Sequence, residues 1–289
     1  MNVNHLRYFM EVCRHQSFTK ASESLNISQP AITAAIKELE NELNYRLFDR
    51  FNNRIALTEN GERFSKLTRG MLDRFDNYYN EALDMGNRSK TLIRLGLPAI
   101  LSTFFYKRIV PAFNESHPNT HLVIFEVPTL TGLRMLDEVS LDFLIGILDD
   151  EPAHNHERRL IFDTTLDLFV HKDNPLAKEK SISSEMLIGR PFVFVPKGSR
   201  HYELLMDAFK DVSLDITLYS TQISTIRYML ENNMAATILY KQVFDTYGVI
   251  RRIPLAKPIR AQIGLNWKKN TYLNAAMKSF ISFATKLQE

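Results

Sequence analysis

Gln29, Thr33 and Lys37 stand four residues apart in a segment whose apolar residues, Ile32, Ile36, Leu39 and Leu43, keep their own spacing of four, three and four. On a helix the apolar set makes one face and the polar set the opposite one, with Pro30 and Ala34 beside it. A glutamine amide makes paired hydrogen bonds to adenine in a major groove, a threonine touches a base or the thymine methyl, and a lysine neutralises phosphate. The trio therefore suits a helix that reads duplex DNA. Ser28 precedes it as the expected cap, and Pro30 falls in the first turn, where a missing N–H costs nothing.

Neighbouring segments must position that helix. A shorter one is expected from Thr19, whose hydroxyl can cap it, through Ala21 to Leu25, with the chain reversing at Asn26 and Ile27. After Leu43, the stretch RLFDRFNNRIALT reads as two strands around Asn52-Asn53, a pair that tolerates a tight hairpin turn. Arg50 and Arg54 flank its tip, where guanidinium groups can follow the backbone or enter the minor groove. The candidate DNA contacts are thus Ser28, Gln29, Pro30, Thr33, Ala34, Lys37, Arg50 and Arg54. Bulk charge adds little, since residues 1–58 hold seven Lys or Arg against six Asp or Glu, a balance of +1. Placement carries the case.

The order of SFTKASESLNISQPAITAAIKELENELNYRLFDR and LTENG resembles the amino-terminal module of LysR-type transcriptional regulators. The matching positions are Ala21, Leu25, Ser28, Gln29, Pro30, Ala31, Ile36, Leu39, Glu40, Leu47, Phe48, Arg50, Leu57, Thr58 and Gly61. Thr33-Ala34-Ala35 departs from the family's frequent Ser-Arg-Gln or Ser-Lys-Gln, removing a basic side chain often used on DNA. Asn44 replaces a glycine that ends the helix, and asparagine also adopts the left-handed conformation required there.

Length and composition agree with a multidomain protein. The 289 residues are 45% hydrophobic and 24% charged, enough for more than one core. No apolar run reaches membrane-spanning length and MNVNHLRYF lacks a secretory pattern, so the expected setting is the cytoplasm, away from membranes. The single cysteine, Cys13, shares a helix face with Leu6, Phe9 and Met10 and reads as core.

From Thr58 the pattern predicts one long helix, with Glu59 and Glu62 at its positive end and Gly86-Asn87 as its exit. Phe64, Leu67, Met71, Phe75, Tyr78, Ala82 and Met85 form its stripe, and a second copy of the chain is the natural partner for so long a face. The resemblance implies the same: a dimer, commonly a dimer of dimers, on an imperfectly palindromic operator. It also allows a contact with RNA polymerase.

Beyond residue 90 the chain alternates strands and helices. Strands are expected at 91–96, 121–127, 142–148, 191–196, 216–220, 235–240 and 261–267, with helices at 103–116, 134–139 and 272–286. The fold class is therefore α/β: a winged helix-turn-helix at 1–58, a linker helix at 59–88 and an effector domain at 89–289. The resemblance implies that this last domain is similar to periplasmic solute-binding proteins. It would have lobe I at about 91–163 and 264–289, lobe II at about 164–263, and crossings near Asp163 and Gly264.

In open α/β sheets, ligands bind beyond the carboxyl ends of strands, where helix-start amides hold anions. That selects Leu97, Pro98, Ile100, Ser102, Thr103, Thr129, Thr131, Ser199, Arg200 and Ser224 as candidate effector contacts. Several family members place Ser or Thr just after the first strand to hold a carboxylate, whereas this chain has Pro98 and Ile100. Arg200, where small residues are common in the family, would supply the cation for an organic acid with an apolar portion; the competing reading makes it a solvent-exposed helix residue. No cofactor is expected, and the effector would act as a co-inducer.

Other chemistry finds no support. His154-Asn155-His156-Glu157 has ligand-like spacing but no third and fourth partner, so it reads as a solvated loop. No phosphate-cradling glycine loop or Gly-x-Ser-x-Gly elbow is present. The expected function is a ligand-responsive DNA-binding regulator, not an enzyme. The competing reading is a small-molecule binding protein or enzyme on the same α/β scaffold, with the first ninety or so residues used only for assembly.

Overall fold

The computed structural model describes residues 1–51, 54–86, 91–148, 155–244 and 248–286. The chain divides into two units, Met1–Asn87 and Arg88–Glu289.

In the first unit, α1 (Val3–His15), α2 (Phe18–Leu25) and α3 (Gln29–Leu43) are followed by the strands β1 (Phe48–Phe51) and β2 (Arg54–Leu57) and by α4 (Glu59–Gly86). The apolar faces of the first three helices converge on Leu6, Phe9, Val12, Ile32, Ile36 and Leu39. Phe9 lies 5.4 Å from Phe48 and 5.1 Å from Phe64, so one aromatic ring ties α1 to β1 and α4. Cys13 packs against this core, and burial pushes its thiol up to about 12, which leaves it a protonated apolar group.

The turns depend on residues that accept left-handed backbone. Gln16, Asn26 and Asn44 end α1, α2 and α3 with φ of 49°, 53° and 58°. Asn44 thus fills the glycine position as the sequence suggests. The caps differ from expectation. Ser17, not Thr19, caps α2, its Oγ accepting from the Lys20 N–H at 3.3 Å. Ser28 occupies the cap position of α3 without a side-chain cap bond; its carbonyl accepts from Ala31 and Ile32 instead. Thr58 does cap α4: its hydroxyl accepts from the Gly61 N–H at 2.9 Å and donates to the Arg46 carbonyl at 2.8 Å. A Cβ on Gly61 would overlap the Leu47 carbonyl oxygen, so only glycine fits where the hairpin meets the helix.

In the second unit, β3 (Thr91–Leu97), α5 (Ala99–Ser116), β4 (Thr120–Glu126), α6 (Thr129–Asp137) and β5 (Phe143–Ile147) form consecutive parallel crossovers. The strand β6 (His156–His171) then runs antiparallel to β11 (Ile259–Lys268), which also pairs with β5. Three further strands, β7 (Pro191–Phe194), β8 (Asp215–Tyr219) and β9 (Thr237–Tyr240), alternate with α7 (Arg200–Ala208) and α8 (Ile223–Glu231). The chain ends through β10 (Ile250–Ile253), β11 and α9 (Ala275–Thr285). Among the described residues, the main sheet runs β10-β6-β11-β5-β3-β4 with β9 also on β6, while β7 and β8 pair separately.

Several elements correct the sequence reading. Residues 156–157 belong to β6 and not to a loop, and both β6 and β10 are strands the reading did not propose. The expected crossings near Asp163 and Gly264 are not among these corrections: they fall on the long strands β6 and β11, whose pairing slips by one residue between Ile263 and Gly264. Two helices start earlier than expected, α5 at Ala99 and α6 at Thr129, because their first turns follow directly on Pro98 and Pro128. The last starts later, at Ala275, with Asn274 as its side-chain cap.

Candidate functional site

The buried face of α3 carries Ile32, Ala35, Ile36 and Leu39, which turns Gln29, Pro30, Ala34 and Lys37 outward and leaves Thr33 half-buried. The Gln29 amide donates to the Thr33 hydroxyl at 3.2 Å. That bond orients one polar group by another on the face available to a ligand. Ser28 is also exposed. Arg50 and Arg54 lie on β1 and β2, with Arg50 opposite Ile55 and Arg54 opposite Phe51. Their side chains, and the Asn52-Asn53 tip, lie outside the described residues.

In the second unit, a cavity of about 190 Å³ opens at the carboxyl ends of β3, β4, β5, β7 and β9. Pro98, Ile100, Thr129, Ser199 and Arg200 line it, five of the ten residues named from sequence. Leu97 is buried under the strand end. Ser102 donates to the Ala99 carbonyl and to Glu126, and Thr103 donates to the Ile100 carbonyl. Thr131 accepts from Arg134 within α6, while Ser224 is exposed on α8. None of these five lines the cavity.

The wall also contains residues that the sequence reading missed: Glu126, Ile147, Val195, His201, Thr221 and Tyr240. His201 is buried, its ring 4.9 Å from that of Tyr240, and its Nε2 meets the Ile238 carbonyl at 3.0 Å. Burial pushes its pKa down to about 4, the backbone hydrogen bond opposing only part of that shift. The imidazole is therefore neutral near pH 7. Burial also raises the Tyr240 phenol well above its ordinary range. Arg200 pairs with Glu203 at 3.1 Å and Ser199 caps α7, so the polar side of the cavity carries Arg200, Ser199 and the acidic Glu126. The opposite side is apolar, through Pro98, Ile100 and Ile147. Such a wall suits a small ligand with one polar end.

No group of three or more potential metal ligands occurs among the described residues. His154 lies outside them, and His156 faces Asp137 at 3.2 Å.

Two family models match this chain. Residues 3–62 fit the bacterial regulatory helix-turn-helix protein of the lysR family, and residues 86–288 fit the LysR substrate binding domain. The chain belongs to the LysR family. Its relatives are transcription regulators, and it is a DNA-binding transcription regulator with an effector-binding domain, not an enzyme. YwbI, an HTH-type transcriptional regulator of Bacillus subtilis, is 29% identical over 286 residues, covering 97% of this chain and 95% of its own. BenM of Acinetobacter baylyi is 30% identical over 225 residues, 75% of this chain and 72% of its own.

Solved structures share the fold. A full-length OxyR variant from Pseudomonas aeruginosa superposes with a TM-score of 0.70 at 21% identity, covering 99% of this chain and 94% of that one. Full-length CbnR complexed with its target DNA gives 0.58 at 18% identity, covering 99% and 100%. Within the described residues of this LysR-type regulator, no helix is long and apolar enough to cross a membrane.

Proposed function

We propose that this regulator binds an imperfectly palindromic operator as a dimer or tetramer and changes its grip on DNA when a small organic acid occupies the cavity at the strand ends. The observation that carries the reading is the polar line of Gln29, Thr33 and Lys37, exposed at Gln29 and Lys37, on a helix whose other face is sealed in the core. The effector would sit between a lobe of about 91–163 and 264–289 and a second of about 164–263. Arg200 would hold its carboxylate and Pro98, Ile100 and Ile147 its apolar part. The regulator would act in the cytoplasm and, on its operator, contact RNA polymerase.

The operator is found by mapping bound genomic sites. Gln29→Ala should then weaken discrimination between operator and scrambled duplex by about 1 to 3 kcal/mol, with little change on the scrambled one. An equal loss on both would remove Gln29 from base reading. For the effector, small aryl and alkyl carboxylates are screened by thermal shift, and Arg200→Ala should weaken the best of them by about tenfold or more. Unchanged affinity in that variant would end the assignment of Arg200.

A further inference from the structure

The recognition helix is longer than the major groove is wide. α3 has 15 residues, about 22 Å at 1.5 Å per residue, whereas the major groove is about 12 Å wide. With Gln29 at the base edges and α3 inclined across the groove, its far end would come against the phosphate strand on that side. The exposed line continues to that end: Asn41 follows Lys37 by four residues, and Asn44 follows by three more. There, a groove of about 580 Å³ is bounded by Lys37, Glu40, Asn41, Asn44, Tyr45 and Arg46.

A helix carboxyl end repels phosphate through its dipole, so a site there needs cations. Two are available, because neither Lys37 nor Arg46 forms an ion pair among the described residues. The acids of the helix have partners of their own, although Glu40 stays in the groove wall. Glu40 accepts from the Leu47 and Phe48 N–H groups at 2.7 and 3.2 Å, Glu42 is held by the Met1 amino group, and Glu38 faces His5 at 3.9 Å.

We propose that this groove seats a backbone phosphate of the operator, with Arg46 and Lys37 supplying charge and Asn41 a side-chain amide donor. The proposal rests on the DNA-binding reading of α3 and extends its footprint beyond the base-reading residues.

The test measures fluorescence anisotropy of the full-length protein on operator and scrambled duplexes across a salt series. Arg46 is exposed and its backbone carbonyl alone serves Thr58, so Arg46→Ala should leave the fold and melting temperature unchanged. It should weaken both duplexes to a similar extent and flatten the plot of log K against log salt by about one per half-site. Arg46→Lys should restore most of that slope. On operators carrying single neutral methylphosphonates, one substitution per half-site should abolish the difference between wild type and Arg46→Ala. If the salt slope is the same in wild type and Arg46→Ala while Gln29→Ala still loses discrimination, the groove holds no phosphate. An acidic protein surface then becomes its candidate occupant. If Gln29→Ala also changes nothing, the reading of α3 fails along with it.

Discussion

His201 is an ionisable group that burial keeps from ionising. In the unfolded chain its pKa returns to about 6.5, while in the folded protein it stands at about 4. Between those values the unfolded chain takes up a proton that the native state refuses. Stability must therefore fall as pH drops through 6.5, and the loss must level off below about 4, reaching about 3 kcal/mol at most. Denaturant titrations of the full-length protein at pH 7.5 and pH 5 should show the effect. His201→Gln, which keeps a donor for the Ile238 carbonyl, should lose about 2 kcal/mol less over that interval than wild type. Equal losses in the two proteins would mean that His201 is protonated in the native state. A neutral imidazole leaves Arg200 as the basic side chain of the cavity wall that stays charged near pH 7, with Glu126 as an acidic one. Arg200 and Ser199 were legible in the sequence because they follow a strand and open a helix. His201 was not, since its burial depends on a carbonyl 37 residues away and nothing local marks it. Ser102 and Thr103 had the right chemistry at the right place. The earlier start of α5 turns their hydroxyls back onto that helix's own carbonyls, with Ser102 also reaching Glu126.

At the level of elements, legibility follows the contrast between apolar and polar positions. The run of β5, Phe143–Ile147, is buried at every residue, and a continuous apolar pentapeptide announces such a strand without help. The helix α3 is equally plain, because its period of 3.6 separates a core face from a polar one. By contrast, β6 begins His-Glu-Arg-Arg and alternates irregularly before its buried Leu-Asp-Leu-Phe-Val segment. Cross-strand pairing with β11 over nearly the whole length of β11 holds it extended, and that pairing joins residues about a hundred positions apart. The start of α5 was obscured by Pro98, which reads as a loop although proline is compatible with a helix start. Once the helix is begun at Ala99, Leu101, Phe105, Ile109 and Phe113 fall on one buried line at intervals of four. Caps show the same limit: Thr19 and Ser17 both carry hydroxyls near the start of α2, and only the local backbone decides which one meets an amide.

At the scale of the whole molecule, the long helix α4 sets what the two DNA-reading modules of a dimer can do. Its 28 residues span about 42 Å, and its stripe begins buried, Phe64 lying in the core of the first unit. Further along, Leu67 is 73% exposed and Tyr78 72%, with Met71 and Phe75 also open. A single chain leaves this apolar line in water, a cost that pairing with a second α4 removes. The dimer then tethers two recognition helices, so the second half-site binds at an effective concentration instead of from bulk, a gain of about a hundredfold or more. Replacing Leu67 and Tyr78 together by Glu should remove that gain while leaving the helix-turn-helix core intact, since both side chains point away from it. Sedimentation equilibrium should show the variant as monomer at concentrations where wild type is a dimer. Its affinity for the full palindrome should drop by about a hundredfold, while affinity for an isolated half-site stays within about threefold of wild type. If the variant remains a dimer, or if both DNA lengths lose affinity together, then α4 does not join the two modules through this stripe.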